Sequence, residues 1–310
     1  MNVSRMLLAL FRAMSGLPYV WLRRIGNVAG VLLYWGAASR RRIADVNLRL
    51  CFPAMSEAER KSIILDHCRF FARSFLDRFV LWYRSVDEIK QMVQLVDPQY
   101  FEAHAGKPII LLAPHFLGMD AGGTRLTIDH TMFTMFANQK NKVFNEAMRE
   151  GRARFSGAVL LSRQDGLRGA IRKLRENVPF YFLPDMDLGA RDSLFVPFFG
   201  VPAATVPSVA RLAQLTGAVV IPCVTRMTDE GYETRFYPAW ENYPGDDDQE
   251  TATRRMNAFI EERVLEMPAQ YLWTHKRFKT RPPGEPDFYA GVSAREDRQE
   301  EGPVQEGGPV

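Results

Sequence analysis

Apolar positions follow two different periods on either side of residue 107. From Ser39 to His104 they recur at helical spacing. Ser56-Glu57-Ala58-Glu59 reads as an N-terminal cap, and Ile63, Ile64, His67, Phe70, Phe71, Ser74 and Phe75 then return every three to four residues. From Lys107 the pattern changes. Pro108-Ile109-Ile110-Leu111-Leu112-Ala113-Pro114 is a continuous apolar run closed by prolines, the mark of a strand buried on both faces. Further strands are predicted at Thr131–Ala137, Pro179–Leu183, Ala218–Val224 and Tyr232–Tyr237. Helices are predicted between and after them at Asn141–Phe155, Leu167–Asn177, Ser208–Thr216 and Gln249–Glu266. This alternation implies an α/β fold with a mixed, mostly parallel sheet flanked by helices. No internal repeat is present.

The ends of the chain differ from its body. Residues 1–42 hold seven arginines and no acid, +7, while residues 285–310 hold seven acids and two arginines, −5. The whole chain carries +4, so the body carries 4 − 7 + 5 = +2. The head is rich in Leu, Val, Trp and Tyr, which suits an anionic membrane surface rather than nucleic acid. Its best apolar run, Ile25 to Ala38, has 14 residues between Arg23-Arg24 and Arg40-Arg41-Arg42. That is short of the roughly 18–20 residues a spanning helix needs. We therefore expect an N-terminal helical membrane-associating segment lying in the interface. Leu7, Leu8, Leu10, Phe11, Trp21, Leu22 and Trp35 would meet lipid, and the arginines would meet headgroups. A single span, a cleavable leader ending near Gly36-Ala37-Ala38-Ser39 and a helix simply packed on the domain are the alternatives. The expected division is a membrane-associating segment at 1–42, a catalytic domain at 43–284 and a disordered acidic tail at 285–310. Cys51, Cys68 and Cys223 are too few and too scattered for a disulfide framework or a zinc site, so a reducing compartment is expected.

Candidate chemistry gathers at Pro114-His115-Phe116-Leu117-Gly118-Met119-Asp120. His115 follows the end of the apolar strand, where open α/β sheets present functional groups. Within one regular helix His115 and Asp120 would lie about 140° apart, so they meet only if the chain turns between them; Gly118 eases such a turn. Joined, the carboxylate would fix the imidazole tautomer and leave the other ring nitrogen as a general base. No serine or cysteine stands in a nucleophile-elbow context. Phe195, Phe198 and Phe199 read as core or as the wall of an apolar channel, and Thr205 and Pro207 as the start of the next helix. The remaining histidines read as structural or exposed.

Further segments extend the pattern. Asn138 to Asn145 and Arg149 to Phe155 are followed by Leu161-Ser162-Arg163-Gln164-Asp165-Gly166-Leu167-Arg168. Phe182-Leu183-Pro184-Asp185-Met186-Asp187 and Phe195-Val196-Pro197-Phe198-Phe199-Gly200 come next. In their order and spacing, from Arg42 to Lys279, these blocks resemble the late acyltransferases of lipid A synthesis, within the wider lysophospholipid acyltransferase-like group. The resemblance implies a glycerolphosphate acyltransferase-like fold and transfer of a fatty acyl chain from acyl carrier protein to a hydroxyl of a lipid A precursor. No cofactor or metal is implied. It implies His115 as base, Asp120 as orienting acid and Arg152 acting with them on a phosphate of the lipid or of the carrier's prosthetic arm. The setting implied is the cytoplasmic face of the bacterial inner membrane. Around that centre, Arg149, Arg163, Arg168, Asp185 and Asp187 are candidates for substrate binding. Each has a plainer reading: a solvated helix face for Arg149, pairing with Asp165 or Glu176 for Arg163 and Arg168, and loop ordering for the aspartates. Other acceptors, such as a phosphatidylinositol mannoside, and a catalytically silent lipid-binding role are the competing functions.

Overall fold

The segments with helical period become five helices: α1 (Val3–Met14), α2 (Tyr19–Gly36), α3 (Ala38–Cys51), α4 (Glu57–Tyr83) and α5 (Val86–Met92). The computed structural model describes residues 3–139, 141–155, 157–162 and 166–292. The predicted cap at Ser56 is a full capping box: the Ser56 hydroxyl accepts from the Glu59 amide, and the Glu59 carboxylate accepts from the Ser56 amide at 2.8 Å. Ser85 and Glu88 repeat the device at the start of α5. These reciprocal bonds satisfy amides that the first helical turn otherwise leaves unpaired.

A seven-stranded sheet follows, in the order β1-β9-β8-β2-β5-β3-β4. Its strands are β1 (Val93–Val96), β2 (Ile109–Leu112), β3 (Met132–Phe136), β4 (Ala158–Ser162) and β5 (Phe180–Phe182), with β8 (Val219–Met227) and β9 (Tyr232–Phe236) later in the chain. Every pairing is parallel except the β8–β9 hairpin, as the mostly parallel expectation required. All four residues of β2 are buried, at the centre of the sheet. One-turn α6 (Gln99–Glu102) precedes β2, and the crossover helices are α7 (Met119–Asp129), α8 (Lys142–Arg152) and α9 (Gly166–Arg175). Between β5 and β8 lie the antiparallel hairpin β6 (Leu194–Phe198) and β7 (Val201–Thr205), then α10 (Ser208–Thr216). Helix α11 (Gln249–Glu266) packs on that hairpin, with the Asn257 amide donating to the Pro197 carbonyl at 2.9 Å.

The head divides its apolar residues between two surfaces. Helix α2 turns Gly26 and Gly30 onto α4; a Cβ at Gly30 would stand 2.3 Å from the Arg69 Cα, so only glycine permits this approach. Trp21, Ile25, Val28, Leu32 and Trp35, spaced along the opposite face, are exposed, as are Val3, Met6, Leu7 and Leu10 on α1. Leu22 is fully buried, and Leu8 and Phe11 pack inward, Phe11 stacking on Phe79 at 4.6 Å. The expected lipid-facing set therefore loses Leu8, Phe11 and Leu22, because amphipathic helices need one apolar face for the domain itself. Several arginines are also spent internally: Arg23 bonds Asp229 and Arg40 bonds the Thr274 carbonyl. Arg5, Arg24 and Arg42 remain exposed. Among the described residues, no helix is long and apolar enough to cross a membrane.

The expected tail begins too early. Tyr289 is buried, donates its hydroxyl to Asn47 and receives the Phe278 amide at 3.2 Å, and Phe288 packs against the same core. Two aromatics within the acidic stretch are enough to dock residues 285–292; residues 293–310 lie outside the described set. Thr205 does not cap a helix either. It ends β7, fully buried, and its hydroxyl accepts from Arg277 at 2.8 Å. Phe198 is buried in the core, while Phe195 and Phe199 are half-buried; none of the three lines the central cavity.

Candidate active site

Strands β2 and β5 are parallel neighbours, with Leu112 opposite Phe182 in register. Three residues beyond each partner, past Pro114 and Pro184, come His115 and Asp185. Parallel pairing thus delivers the two side chains together at the carboxyl edge of the sheet. The His115 Nδ1 lies 2.7 Å from an Asp185 carboxylate oxygen, and the His115 backbone amide donates to the same carboxylate at 3.0 and 3.1 Å. Asp185 is 1% exposed. Burial alone would raise its pKa, but the charge and hydrogen bonds of His115, joined by the Arg277 guanidinium, hold it below the ordinary carboxylate value. An ionised acceptor at Nδ1 puts the ring proton there and leaves Nε2 as the basic nitrogen, and His115 lines a cavity.

The loop carrying His115 is tied on its other side. Phe116 bridges to Tyr271, the Leu272 amide donates to the His115 carbonyl at 3.0 Å, and the Leu117 amide donates to Gln270. Gly118 has an ordinary φ of −80°; its function is close approach, since a Cβ there would stand 2.7 Å from the Thr225 carbonyl oxygen.

Asp120 does not orient His115. It sits in the first turn of α7, where its Oδ1 accepts from Arg152 Nε at 3.1 Å and Nη2 at 2.6 Å, and its Oδ2 accepts from Arg78 Nε at 2.7 Å. Burial pushes this carboxyl upward, yet Arg152 and Arg78 outweigh it and hold the pKa far below the usual range. The chain does turn between His115 and Asp120, but the turn sends the acid toward α4 and α8.

His115, Asp120, Arg78 and Arg152 line one cavity of about 1180 Å³. This exceeds the roughly 300–1,000 Å³ typical of a single small-ligand site. Its apolar walls come from α7, β3 and β4, including Met119, Met132, Phe133, Met135 and Val159. A positioned base, fixed cations and an apolar arm suit transfer chemistry on a molecule that is part charged and part hydrocarbon.

The profile of the bacterial lipid A biosynthesis acyltransferases matches residues 3–280. The chain belongs to this family. It is 32% identical over 278 residues to the lipid A biosynthesis lauroyltransferase of Escherichia coli K12, covering 88% of this chain and 90% of that one. It is 34% identical to the lipid A biosynthesis myristoyltransferase of the same organism over 269 residues, 85% of this chain and 81% of the relative. Among solved structures, the 1-acyl-sn-glycerophosphate acyltransferase PlsC from Thermotoga maritima aligns at 15% identity and a TM-score of 0.39, covering 80% of this chain and 100% of that one.

The other expected residues of this acyltransferase fall in different places. Asp185, expected to bind substrate, is committed to His115. Asp187 orders a loop: its carboxylate accepts from the Gly189 amide, the Thr280 amide at 2.7 Å and the Thr280 hydroxyl at 2.8 Å. Arg149 lies on a solvated helix face, 3.8 Å from Glu146. Arg168 borders a separate surface recess with Arg172 and Arg175. Arg163 lies outside the described residues. His275 is half-buried and neutral, its pKa pushed down to about 3 by loss of hydration and by the neighbouring charges of His115 and Arg277. Its Nε2 accepts from the Asp187 amide at 3.1 Å. Arg78 escaped the sequence reading because it sits on the long helical stretch before the sheet, with no motif around it.

Proposed function

We propose that this chain transfers a fatty acyl group from acyl carrier protein to a hydroxyl of a lipid A precursor of the Kdo2-lipid IVA type. The observation that supports it most is the His115–Asp185 contact at the head of an apolar cavity. In this reading Nε2 of His115 removes the proton of the acceptor hydroxyl as its oxygen attacks the thioester carbonyl. The imidazolium that forms is stabilised by Asp185. Collapse of the tetrahedral intermediate breaks the C–S bond, and the proton returns to the departing thiolate. Asp120 is not the orienting acid; it holds Arg78 and Arg152 at the cavity. The acyl chain lies along the apolar arm between α7 and β3–β4. A protein that only bound lipid would have no use for an imidazole fixed on a buried carboxylate.

The same proposal sets the enzyme at the cytoplasmic face of the bacterial inner membrane. The apolar stripes of α1 and α2 rest on lipid, with Arg5, Arg24 and Arg42 against anionic headgroups.

The deciding assay supplies the full chain, in vesicles, with lauroyl-, myristoyl- or palmitoleoyl-acyl carrier protein and a purified lipid A precursor, and reads the product by mass spectrometry. Acylated precursor is expected, with a loss of about 10²–10⁴ in rate for His115→Ala. Near-normal transfer by that variant would overturn the mechanism. Acylation of a phosphatidylinositol mannoside in place of the precursor would overturn the choice of acceptor.

A further inference from the structure

The ten residues of α9 include Arg168, Arg172, Lys173 and Arg175 and no acid, against a net charge of +2 for the whole body of the chain. Ala170 and Leu174 turn into the core, which sets Arg168, Arg172 and Arg175 together on the exposed face, four and then three residues apart. Two of the four cations serve the protein itself: Lys173 pairs with Glu176 at 2.6 Å, and Arg175 donates to the Leu215 carbonyl at 3.3 Å. Arg168 and Arg172 have no hydrogen bond or ion pair among the described residues. Their placement works against the helix. Like charges four residues apart repel, and Arg168 stands in the first turn, where the helix macrodipole favours an acid. An arrangement that weakens the local fold points to a negative group outside the chain.

The stripe leads to the site. Strand β4 runs parallel to β3, β3 to β5 and β5 to β2, so α9 starts from the same sheet edge that carries His115 and Asp185. Leu167 lines the central cavity, and from the next residue on Arg168, Ile171, Arg172 and Arg175 line the recess outside it. At 1.5 Å per residue the three arginines span about 10 Å of helix leading away from the cavity. Arginines around one half-buried apolar side chain, Ile171, suit a protein contact, with its apolar centre and polar rim. Among its described residues α9 exposes no large apolar side chain, whereas α1 and α2 expose Leu7, Leu10, Trp21 and Trp35. Lipid is therefore the poorer match for α9.

We infer that Arg168, Arg172 and Arg175 form the docking surface for an acidic face of the acyl-loaded carrier protein, whose thioester arm then enters the cavity past Leu167. The inference rests on the donor proposed above and adds where that donor sits. A small, charge-led contact suits a donor that must leave after each turnover, because complementary charge speeds encounter without the large apolar interface of a permanent complex.

The test is steady-state transfer by the full chain in vesicles, with lauroyl-acyl carrier protein varied at saturating lipid A precursor. Arg168→Glu/Arg172→Glu should raise the donor KM about tenfold or more, with kcat within about twofold of the parent and the KM for the lipid unchanged. The parent's donor KM should climb between about 50 and about 300 mM salt, and the variant's should respond less, since salt screens exposed charges. Arg168→Glu alone places an acid where the helix dipole welcomes one, so it should keep the melting temperature and still raise the donor KM about threefold. It decides the matter should the double variant not fold. A donor KM equal to the parent's in both variants overturns the docking site and leaves the proposed function in place. Weaker sedimentation with phosphatidylglycerol vesicles at an unchanged donor KM also overturns it and turns α9 toward lipid. If the parent accepts no acyl carrier protein as donor, the donor reading and the docking site fall together.

Discussion

Asp185→Asn separates the acid that the structure joins to His115 from the acid that the spacing alone suggested. In the proposed mechanism His115 becomes positively charged, 2.7 Å from the Asp185 carboxylate, as the acceptor oxygen loses its proton. At an effective dielectric of about 20, that attraction amounts to roughly 6 kcal/mol. Arg277 and the lost hydration of both ions offset part of it. A net loss of roughly 3–4 kcal/mol in the transition state corresponds to about 10²–10³ in kcat. Tautomer scrambling adds to this, since the same substitution costs about 10⁴ in Ser-His-Asp hydrolases. The assay is acyl transfer at saturating donor and acceptor, with ¹⁵N NMR of the histidine ring to read which nitrogen carries the proton. Asp185→Asn should lose rate and mix the tautomers. Asp120→Asn should lose activity by releasing Arg78 and Arg152 while the His115 ring keeps its proton on Nδ1. If Asp185→Asn stays within about threefold of the parent, less than 1 kcal/mol, the orienting role assigned to Asp185 fails.

Other consequences follow from buried charge and close packing. Burial pushes the Asp77 carboxyl up to about 6 despite hydroxyl bonds from Tyr232 and Tyr19 and the charges of Arg73 and Arg84. Against about 3.9 in the unfolded chain, this favours the folded state by about 3 kcal/mol when Asp77 is protonated, an advantage complete below pH 4 and lost as pH rises through 6. Urea denaturation from pH 8 to 4.5 should show the parent gaining on Asp77→Asn by that order; buried His67 and half-buried His275 pull the other way in both proteins and cancel, and a constant difference would contradict the assignment. Gly123 lines the cavity with its Cβ position 3.3 Å from the Tyr181 ring, so Gly123→Val should shift donor preference toward shorter chains. Displacing two methylenes costs roughly 1.6 kcal/mol, or about tenfold against the longer donor, and an unchanged chain-length profile would place the acyl group elsewhere. Replacing Trp21, Leu32 and Trp35 with Ser should lower sedimentation with anionic vesicles by about tenfold or more without altering the melting temperature, because these side chains are already exposed. Unchanged sedimentation would remove α2 from the docking surface.

Much of the fold could be read from local pattern. The central strand, the Ser56 cap, and the bounds of α10 and α11 follow from apolar runs, capping residues and helical period. Strand β1 did not, being four residues attached directly to the end of α5, and edge strand β4 lacks a buried alternation. Hairpin β6–β7 carries Pro197 and Pro202, which argue against strands unless, as here, the hairpin stands apart from the main sheet. For the site, His115 was legible and its partner was not. Sequence proximity favoured Asp120 over an acid seventy residues away. A signal for the acid that contacts His115 did exist, since Leu112-Ala113-Pro114-His115 and Phe182-Leu183-Pro184-Asp185 share one form: two apolar residues, a proline and a polar group. Using it requires knowing that β2 and β5 are neighbours, and strand order is set by long-range packing that no local period reports. Arg78 was hidden for the same reason, because only the tertiary arrangement brings α4 against α7.

The pairing of Leu112 with Phe182 has a bearing on how such a protein can diversify. Because the imidazole and its acid are each counted out from adjoining rungs of one ladder, their separation is indifferent to the length or make-up of the crossover between them. Insertions in α7, β3, α8 or α9 can reshape what the cavity admits while the dyad keeps its spacing. A slip of β5 by one rung, in contrast, would turn Asp185 to the opposite side of the sheet and part it from His115.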